Sequence, residues 1–180
     1  GWMDDFDTRQ AAYWNMLSGG AGHTYGNHNI WQMYTEKRVA VNNARTHWMV
    51  AMDHRGAYQV GYMRRMFEKR NWQKLVMDQS AVIGENPEGA EYKIAAVSSG
   101  KDFMMVYISY GRKTTINTSK LNAGRLRGWW FNPRDGYAIS LGVFENSGSK
   151  EFVPSSVGRG SDWVLVLDDA SKNFPEPNGH

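Results

Sequence analysis

The 180-residue chain carries 21 Lys and Arg against 18 Asp and Glu, a formal net charge of +3, and 41% of its residues are hydrophobic. Its 8 Trp, 9 Tyr and 7 Phe are enough for a hydrophobic core, which excludes an intrinsically disordered chain. The lack of cysteine excludes disulfides and thiol chemistry, the scattered basic residues exclude a nucleic-acid-binding stripe, and no apolar run is long enough for a membrane span.

The start of the chain predicts one helix that ends in a glycine pair. After a loop at residues 1–7, Asp7 is predicted to cap this helix, with Gln10 completing a capping box. The sequence AAYWNML gives the helix a largely buried surface, and Gly19 and Gly20 are the expected stop signal. A brief strand is predicted at residues 21–24.

Residues 19–34, GGAGHTYGNHNIWQMY, concentrate aromatic and amide side chains among glycines, which predicts a loop in place of a helix or regular strand. Flat apolar rings with hydrogen-bonding edges suit a sugar, which has a C–H face and hydroxyl groups. The alternative is that the rings are core anchors, because most aromatic residues pack. His23 and His28, five residues apart without a Cys or an acidic partner, do not predict a metal site. The candidate sugar-binding residues are His23, Tyr25, Asn27, His28 and Trp31.

Two further helices are predicted before the hydrophobic period changes. Residues 44–53 predict a short helix, and residues 56–70 predict an amphipathic helix, because Val60, Met63 and Phe67 recur at three- and four-residue steps. After Asp78 the period becomes two, and turn signals separate seven short strands. These strands are predicted at residues 92–97, 103–110, 114–118, 125–131, 137–143, 151–153 and 163–168. The proline-containing tail, residues 173–180, is predicted to fray.

The chain therefore divides into a helical half and a β half, with a boundary between residues 76 and 91. The β half predicts a self-sufficient antiparallel sandwich of about seven strands. The first 75 residues bury too little area to offset the chain entropy of ordering them. We expect this half to need additional chain or tight docking on the sandwich.

Four motifs resemble those of one known family. Residues 21–34, AGHTYGNHNIWQMY, are similar to the segment that closes the catalytic barrel of the apiosidase-like glycoside hydrolases, and the preceding DTRQAAYW resembles the family's D-x-R…AYW helix. The sequences GWWFNPRDG at residues 128–136 and GSDWVLVL at residues 160–167 resemble motifs of the family's second domain, a β-sandwich labelled collagen-binding. Members of this family are more than twice as long as this chain.

The resemblance implies an α+β chain in two parts. Residues 1–76 would be the last α/β units of a (β/α)8 TIM-type barrel, residues 77–172 an antiparallel β-sandwich and residues 173–180 a tail. It also implies a bacterial, periplasmic or secreted protein whose partners are carbohydrate and the missing N-terminal portion of the barrel. The aromatic segment would then lie on the catalytic face, where the loops that follow the barrel strands meet.

Glycoside hydrolysis generally needs two carboxyl groups, roughly 5–9.5 Å apart. By the resemblance both lie upstream of Gly1, so the catalytic residues are unknown. Asp4 and Asp5, the acids nearest in sequence to the aromatic segment, are interpreted as loop acids, and Asp168 and Asp169 as a solvated strand end. No G-x-S-x-G elbow, P-loop or dinucleotide fingerprint is present, so no cofactor is predicted.

Two hypotheses follow. In the first, the chain is the C-terminal segment of a glycoside hydrolase that acts on O-glycosidic bonds of plant or bacterial polysaccharide, with Trp31 as the stacking platform and His23 and Asn27 as hydroxyl contacts. In the second, the chain is a non-catalytic carbohydrate- or protein-binding module, with Trp129 and Trp130 as the candidate residues. Because these two are adjacent on a strand, one faces in and the other out. The outward ring either binds a partner or is covered by the barrel and joins the two domains.

Overall fold

The computed structural model describes residues 3–180. Gly1 and Trp2 lie outside the described residues, and with them the first part of the loop predicted at residues 1–7. The placement of the catalytic carboxyl pair upstream of Gly1 likewise concerns a region outside the described residues, so it stays a prediction.

Helix α1 spans Asp5–Leu17 and is capped by Asp4. The Asp4 carboxylate accepts the Asp7 backbone N–H at 3.1 Å, and the Asp7 carboxylate accepts the Asp4 backbone N–H at 3.0 Å. The prediction that Asp7 caps the helix is wrong, because this reciprocal pair begins the helix three residues earlier. Gln10 is buried and donates to the Ala90 carbonyl at 2.7 Å instead.

Helix α1 ends at the position that the stop signal Gly19 and Gly20 predicted. Ser18 is its C-cap, and Gly19 follows with φ of +97°, a conformation that costs glycine little. Three helices follow: α2 (His28–Trp31), α3 (Trp48–Ala51) and α4 (Arg55–Glu68). Helices α3 and α4 confirm the two predicted helices, whereas α2 places one short turn inside the predicted loop. Within residues 3–180, no helix combines the length and the apolar character that crossing a membrane requires.

The strand predicted at residues 21–24 does not form. This segment pairs with no strand in the described part of the chain, and a single extended segment has no ladder to complete its backbone hydrogen bonds.

Residues 3–180 contain nine strands, and these include all seven predicted ones. They form a six-stranded sheet in the order β1-β3-β4-β9-β6-β7 and a three-stranded sheet in the order β2-β5-β8, with every pair antiparallel. The strands are β1 (Leu75–Met77), β2 (Val82–Ile83), β3 (Lys93–Ser98), β4 (Phe103–Ile108), β5 (Thr114–Ile116), β6 (Arg125–Phe131), β7 (Ala138–Glu145), β8 (Lys150–Phe152) and β9 (Trp163–Asp169).

The central strands β3, β4 and β9 of the six-stranded sheet are buried on both faces. On β4, Phe103, Met105 and Tyr107 join the cluster that contains buried residues of α1 and α4. The alternate residues Met104, Val106 and Ile108 join a second cluster with residues of the three-stranded sheet. The continuous apolar sequence FMMVYI is explained by this double burial, since each face of the strand meets a different layer.

Helices α1 and α4 run parallel on one face of the large sheet. Arg9 donates to the Gln59 side chain at 2.7 Å, and farther along both helices the rings of Tyr13 and Phe67 lie 6.3 Å apart. Tyr13 also stacks on Tyr107 of β4, with ring centroids 4.7 Å apart and planes 8° from parallel. These contacts supply the tight docking that the helical half was expected to need.

Two buried arginine–aspartate pairs join the helical half to the last strand and the loop before it. Arg9 donates to both carboxylate oxygens of Asp162 at 2.8 and 3.0 Å, and the Tyr107 hydroxyl donates to Asp162 at 3.1 Å. Arg70 donates to both oxygens of Asp168 at 2.7 and 2.5 Å. The interpretation of Asp168 as solvated is therefore wrong: its residue is 1% exposed, because the strand end is covered by the segment that follows α4.

The tail at residues 173–180 packs against the protein, so the prediction of fraying is wrong. The Phe174 ring lies 5.6 Å from the Phe103 ring. The Gly179 backbone N–H donates to the Gly136 carbonyl at 2.7 Å, and the Gly179 carbonyl accepts from Arg65 at 2.5 Å. Apolar contact and satisfied backbone groups together hold a segment that its two prolines suggested was loose.

Candidate functional site

The aromatic segment presents one large ring to solvent. Trp31, the last residue of α2, is 73% exposed, and its ring meets the exposed His28 ring edge-on at 6.2 Å. An exposed indole face beside an imidazole edge offers a stacking surface and a hydrogen-bonding group side by side. Trp31 is therefore not a core anchor, which was the alternative that the sequence left open.

Asn27 holds this turn in place through its own side chain. Its Oδ1 accepts the Asn29 backbone N–H at 3.0 Å, which caps α2, and the Asn29 side-chain amide at 2.8 Å. Its Nδ2 lies 3.3 Å from the Tyr25 hydroxyl and 3.1 Å from His54 Nδ1. Because the Asn29 backbone N–H fixes which amide atom of Asn27 is oxygen, Nδ2 is the donor in the contact with His54 Nδ1.

Asn29 is a structural residue that the sequence did not single out. It is 2% exposed, and its Oδ1 accepts the backbone N–H groups of Arg45 and Thr46, both at 3.0 Å. These two bonds tie the loop before α3 to the turn that carries Trp31. The only available signal was its place between two candidate residues, His28 and Trp31.

The other two candidate residues lie on either side of this turn. Tyr25 packs on the start of α4: a Cβ added at Gly56 would come 3.3 Å from the Tyr25 ring. His23 is partly exposed and makes no hydrogen bond within residues 3–180. The structure thus brings Tyr25 to Asn27 and His28 to Trp31, and α2 links the two pairs.

Trp129 and Trp130 lie on opposite faces of β6, where Trp130 is buried and Trp129 is partly buried. Trp130 is 5% exposed and meets Trp163 and Phe152 edge-on between the two sheets. Trp129 is partly buried against the cluster that includes α1 and α4, and its Nε1 is buried without a hydrogen-bond partner in the described part of the chain.

The acids near the start of α1 are engaged in structural contacts. Asp4 accepts from Arg159 at 2.6 Å, and this bond lowers the Asp4 pKa to about 2 against the smaller opposing effect of burial. Asp5 accepts from Arg9 at 3.0 Å and from Gln59 at 3.3 Å. A catalytic acid needs a raised pKa, so Asp4 has the wrong environment for that role.

A cleft of about 430 Å³ opens beside these acids, and no pattern in the sequence indicated it. The first turns of α1 and α4 form one wall, and Arg134, Arg159 and Gly160 from two loops of the β half form the other. None of the five residues of the aromatic segment lines it.

Comparison with protein families relates each half of the chain to one family model. Residues 1–74 match the model described as "Apiosidase-like, catalytic domain", and residues 76–168 match "Putative collagen-binding domain of a collagenase". No curated protein matches the chain.

Two solved structures are similar over almost the whole chain. One, named a glycoside hydrolase, is 30% identical over 97% of this chain with a TM-score of 0.91. The other, a family 5 glycoside hydrolase from Bacteroides vulgatus ATCC 8482, is 27% identical over 98% of it with a TM-score of 0.90. The match spans 39% and 38% of those two chains.

The helical half, the antiparallel β half and these matches define a glycoside hydrolase-related chain. More narrowly, the chain belongs to the family described as "Putative collagen-binding domain of a collagenase", whose model covers more than half of it, and its first 74 residues match the apiosidase-like catalytic-domain model that the sequence motifs implied.

Proposed function

We propose that this chain supplies the closing unit of a (β/α)8 glycoside hydrolase barrel from residues 1–76 and an accessory β-sandwich from residues 77–172. In this proposal His23, Tyr25, Asn27, His28 and Trp31 form one side of the sugar-binding surface. The reaction is hydrolysis of an O-glycosidic bond in a plant or bacterial polysaccharide. The observation that carries the proposal is the 73% exposed Trp31 ring, held on a turn that four side-chain hydrogen bonds of Asn27 and Asn29 immobilise.

The arrangement of the helices supports the barrel assignment. Neighbouring helices of a (β/α)8 barrel run parallel, and the loop that enters each helix lies on the catalytic face. Helices α1 and α4 are parallel, and the aromatic segment precedes α4 in the chain. Residues 21–24 would be the strand between the two helices, formed when neighbouring barrel strands complete its ladder.

The roles within the segment differ by residue. Trp31 would stack on a sugar face, while His28 and His23 would contact hydroxyl groups. Asn27 and Tyr25 would act as positioning residues, because the hydrogen-bonding groups of Asn27 are committed to α2, Tyr25 and His54. This changes the role expected for Asn27 from direct contact to support.

The acid pair of the reaction would come from the rest of the barrel, upstream of Gly1. Asp4 and Asp5 are held by Arg159, Arg9 and Gln59, which leaves neither as an opposed acid and nucleophile. The 180-residue chain should therefore show no turnover of aryl glycosides or pectic side chains. Robust turnover that persists in an Asp4→Asn/Asp5→Asn double variant would refute this part of the proposal.

Oligosaccharide titration tests the binding surface itself. We expect Trp31→Ala to abolish any binding of neutral oligosaccharides to this chain, because the stacking area is lost without damage to the core. Tyr137→Ala, which removes a 63% exposed ring from the β half, is the matched control and should leave binding unchanged. Equal loss of binding in both variants would show that Trp31 is not part of a specific binding surface and would contradict the proposal.

The second hypothesis, a binding module built on Trp129 and Trp130, has less support. Trp130 is enclosed between the sheets, and Trp129 is partly buried against the helical half, so only part of the Trp129 ring is accessible. We propose for Trp129 the role of joining the two halves.

A further inference from the structure

The cleft between the two halves has a rigid, polar floor. Arg9 and Gln59 are 2% and 3% exposed, and they hydrogen-bond to each other at 2.7 Å and to Asp5. The Arg9 guanidinium also donates two hydrogen bonds to the Asp162 carboxylate, which hold it in position. The floor of this cleft of about 430 Å³ is therefore formed by side chains whose positions packing already determines.

Two arginines hold the carboxylates of the cleft, and two others have no carboxylate partner. Arg159 bonds both Asp4 and Asp7, and Arg9 bonds both Asp5 and Asp162. Arg55 makes no hydrogen bond or ion pair with any residue in the range 3–180, and Arg134 has no ion-pair partner there. The hydrogen-bond donors that remain unused in the cleft are therefore guanidinium N–H groups.

Arg134 is positioned to bind a planar anionic acceptor. Its guanidinium lies over the Trp163 ring at 4.7 Å and uses one nitrogen, Nη1, to donate to the Gly160 carbonyl at 3.1 Å. Its remaining N–H groups have no protein acceptor within residues 3–180. Burial lowers the pKa of Arg134 from its usual value, although the nearby charges of Asp162 and Asp135 partly oppose this. A guanidinium withdrawn from water with free N–H groups is suited to a bidentate anion.

The remaining lining favours a sugar as the carrier of that anion. The Tyr58 ring is 51% exposed on the wall of the cleft, and Tyr62 lies one turn farther along α4. The carboxylate oxygens of Asp4 and Asp5 can accept hydroxyl groups beside these rings. Aromatic faces, hydroxyl acceptors and free guanidinium groups are the set that an acidic saccharide requires.

We propose that this cleft is a second saccharide site, which binds a carboxylate-bearing sugar through Arg55 and Arg134 with Tyr58 as its stacking face. This second site goes beyond the proposed hydrolase function. Both halves of the chain form the cleft, and no residue of the aromatic segment lines it.

Isothermal titration of the 180-residue chain with tetragalacturonate, and with its carboxyl-reduced neutral derivative, tests the site. We expect the acidic tetrasaccharide to bind at least about tenfold more tightly than the reduced one, since the charged bidentate contact is lost on reduction. Equal affinities, or no binding of the acidic probe, would overturn the proposal.

Two arginines of the same helix provide a matched pair of variants. Arg55→Gln should weaken binding of the acidic probe about tenfold. Arg64→Gln removes the same charge from an exposed position outside the cleft, where Arg64 pairs with Glu68, and should leave the affinity unchanged. An equal loss in both variants would mean that only the net charge matters and would refute the site.

Trp31→Ala separates this site from the proposed function. The variant should bind the acidic probe like the parent chain. If it does not, the probe binds at the aromatic segment and the cleft proposal fails. If neutral oligosaccharides fail to bind any variant while the acidic probe behaves as expected, the proposed function loses its support and the cleft proposal stands.

Discussion

Replacement of Arg9 by Met should lower the free energy of unfolding by about 3–5 kcal/mol, the cost of removing one partner of a buried ion pair. Arg9 is 2% exposed and Asp162 is fully buried, and two hydrogen bonds of 2.8 and 3.0 Å join them. Methionine retains most of the aliphatic volume of Arg9, so a cavity contributes little. The cost arises because the Asp162 carboxylate keeps only the Tyr107 hydroxyl, at 3.1 Å, among its side-chain partners within residues 3–180.

The Arg9→Met/Asp162→Leu double variant tests this reasoning. With no charge left to desolvate, it should recover most of the stability that Arg9→Met loses. Recovery should be incomplete, because Tyr107 then has no acceptor and an unpaired buried hydroxyl costs about 1–3 kcal/mol. Burial raises the Tyr107 pKa, so this hydroxyl remains a donor at neutral pH in the double variant as well.

Urea unfolding followed by tryptophan fluorescence measures these differences, since the chain contains 8 Trp. The control is Arg64→Met, whose exposed i,i+4 pair with Glu68 is worth about 0.3–0.5 kcal/mol. The reasoning is refuted if Arg9→Met differs from this control by less than about 1 kcal/mol, well under the range for a buried pair. It is also refuted if the double variant is as unstable as the single one. A second transition in Arg9→Met alone would show that the helical half undocks separately.

Three further outcomes are expected. Trp130→Ala should cost about 3–5 kcal/mol in urea unfolding, because it empties the space between the sheets, whereas Trp31→Ala should change stability by less than about 0.5 kcal/mol. Asn27→Ala should cost about 1 kcal/mol as a lost helix cap and should speed amide hydrogen exchange in α2, and unchanged exchange would contradict its positioning role. Because Arg159 lowers the folded Asp4 pKa to about 2, Asp4 stabilises the fold above its ordinary pKa and loses this contribution as the pH falls from about 4 towards 2. The difference in urea midpoint between the parent and Asp4→Asn should therefore shrink across that interval; since the side chain is 43% exposed, the effect is small.

The strands were predictable because both of their signals are local. Period-two alternation and turn residues placed all seven strands of the β half, and the amphipathic period placed α4. The two missed strands, β1 and β2, lie at the boundary between the two halves, where the hydrophobic period changes from helical to β. The cap of α1 was assigned to the wrong residue because Asp4, Asp5 and Asp7 all carry side chains that can cap a helix.

The site was predictable in composition but not in the role of each residue. Sequence identified the cluster of rings and amides, yet it could not separate Trp31, which is exposed, from Asn27, whose hydrogen bonds are internal. Nor could it pair Arg9 with Asp162 or Arg70 with Asp168, because these partners lie 153 and 98 residues apart.

The family motifs, most of the succession of elements and the change from helical to β structure could be read from the sequence alone, because motifs, periodicity and turn chemistry are properties of neighbouring residues. Only the tertiary structure decided which charges are buried, how the tail packs and where the cleft opens. Each of these depends on distant segments that meet in space, and the free energy of burial is fixed by what surrounds a group, not by its neighbours in the chain.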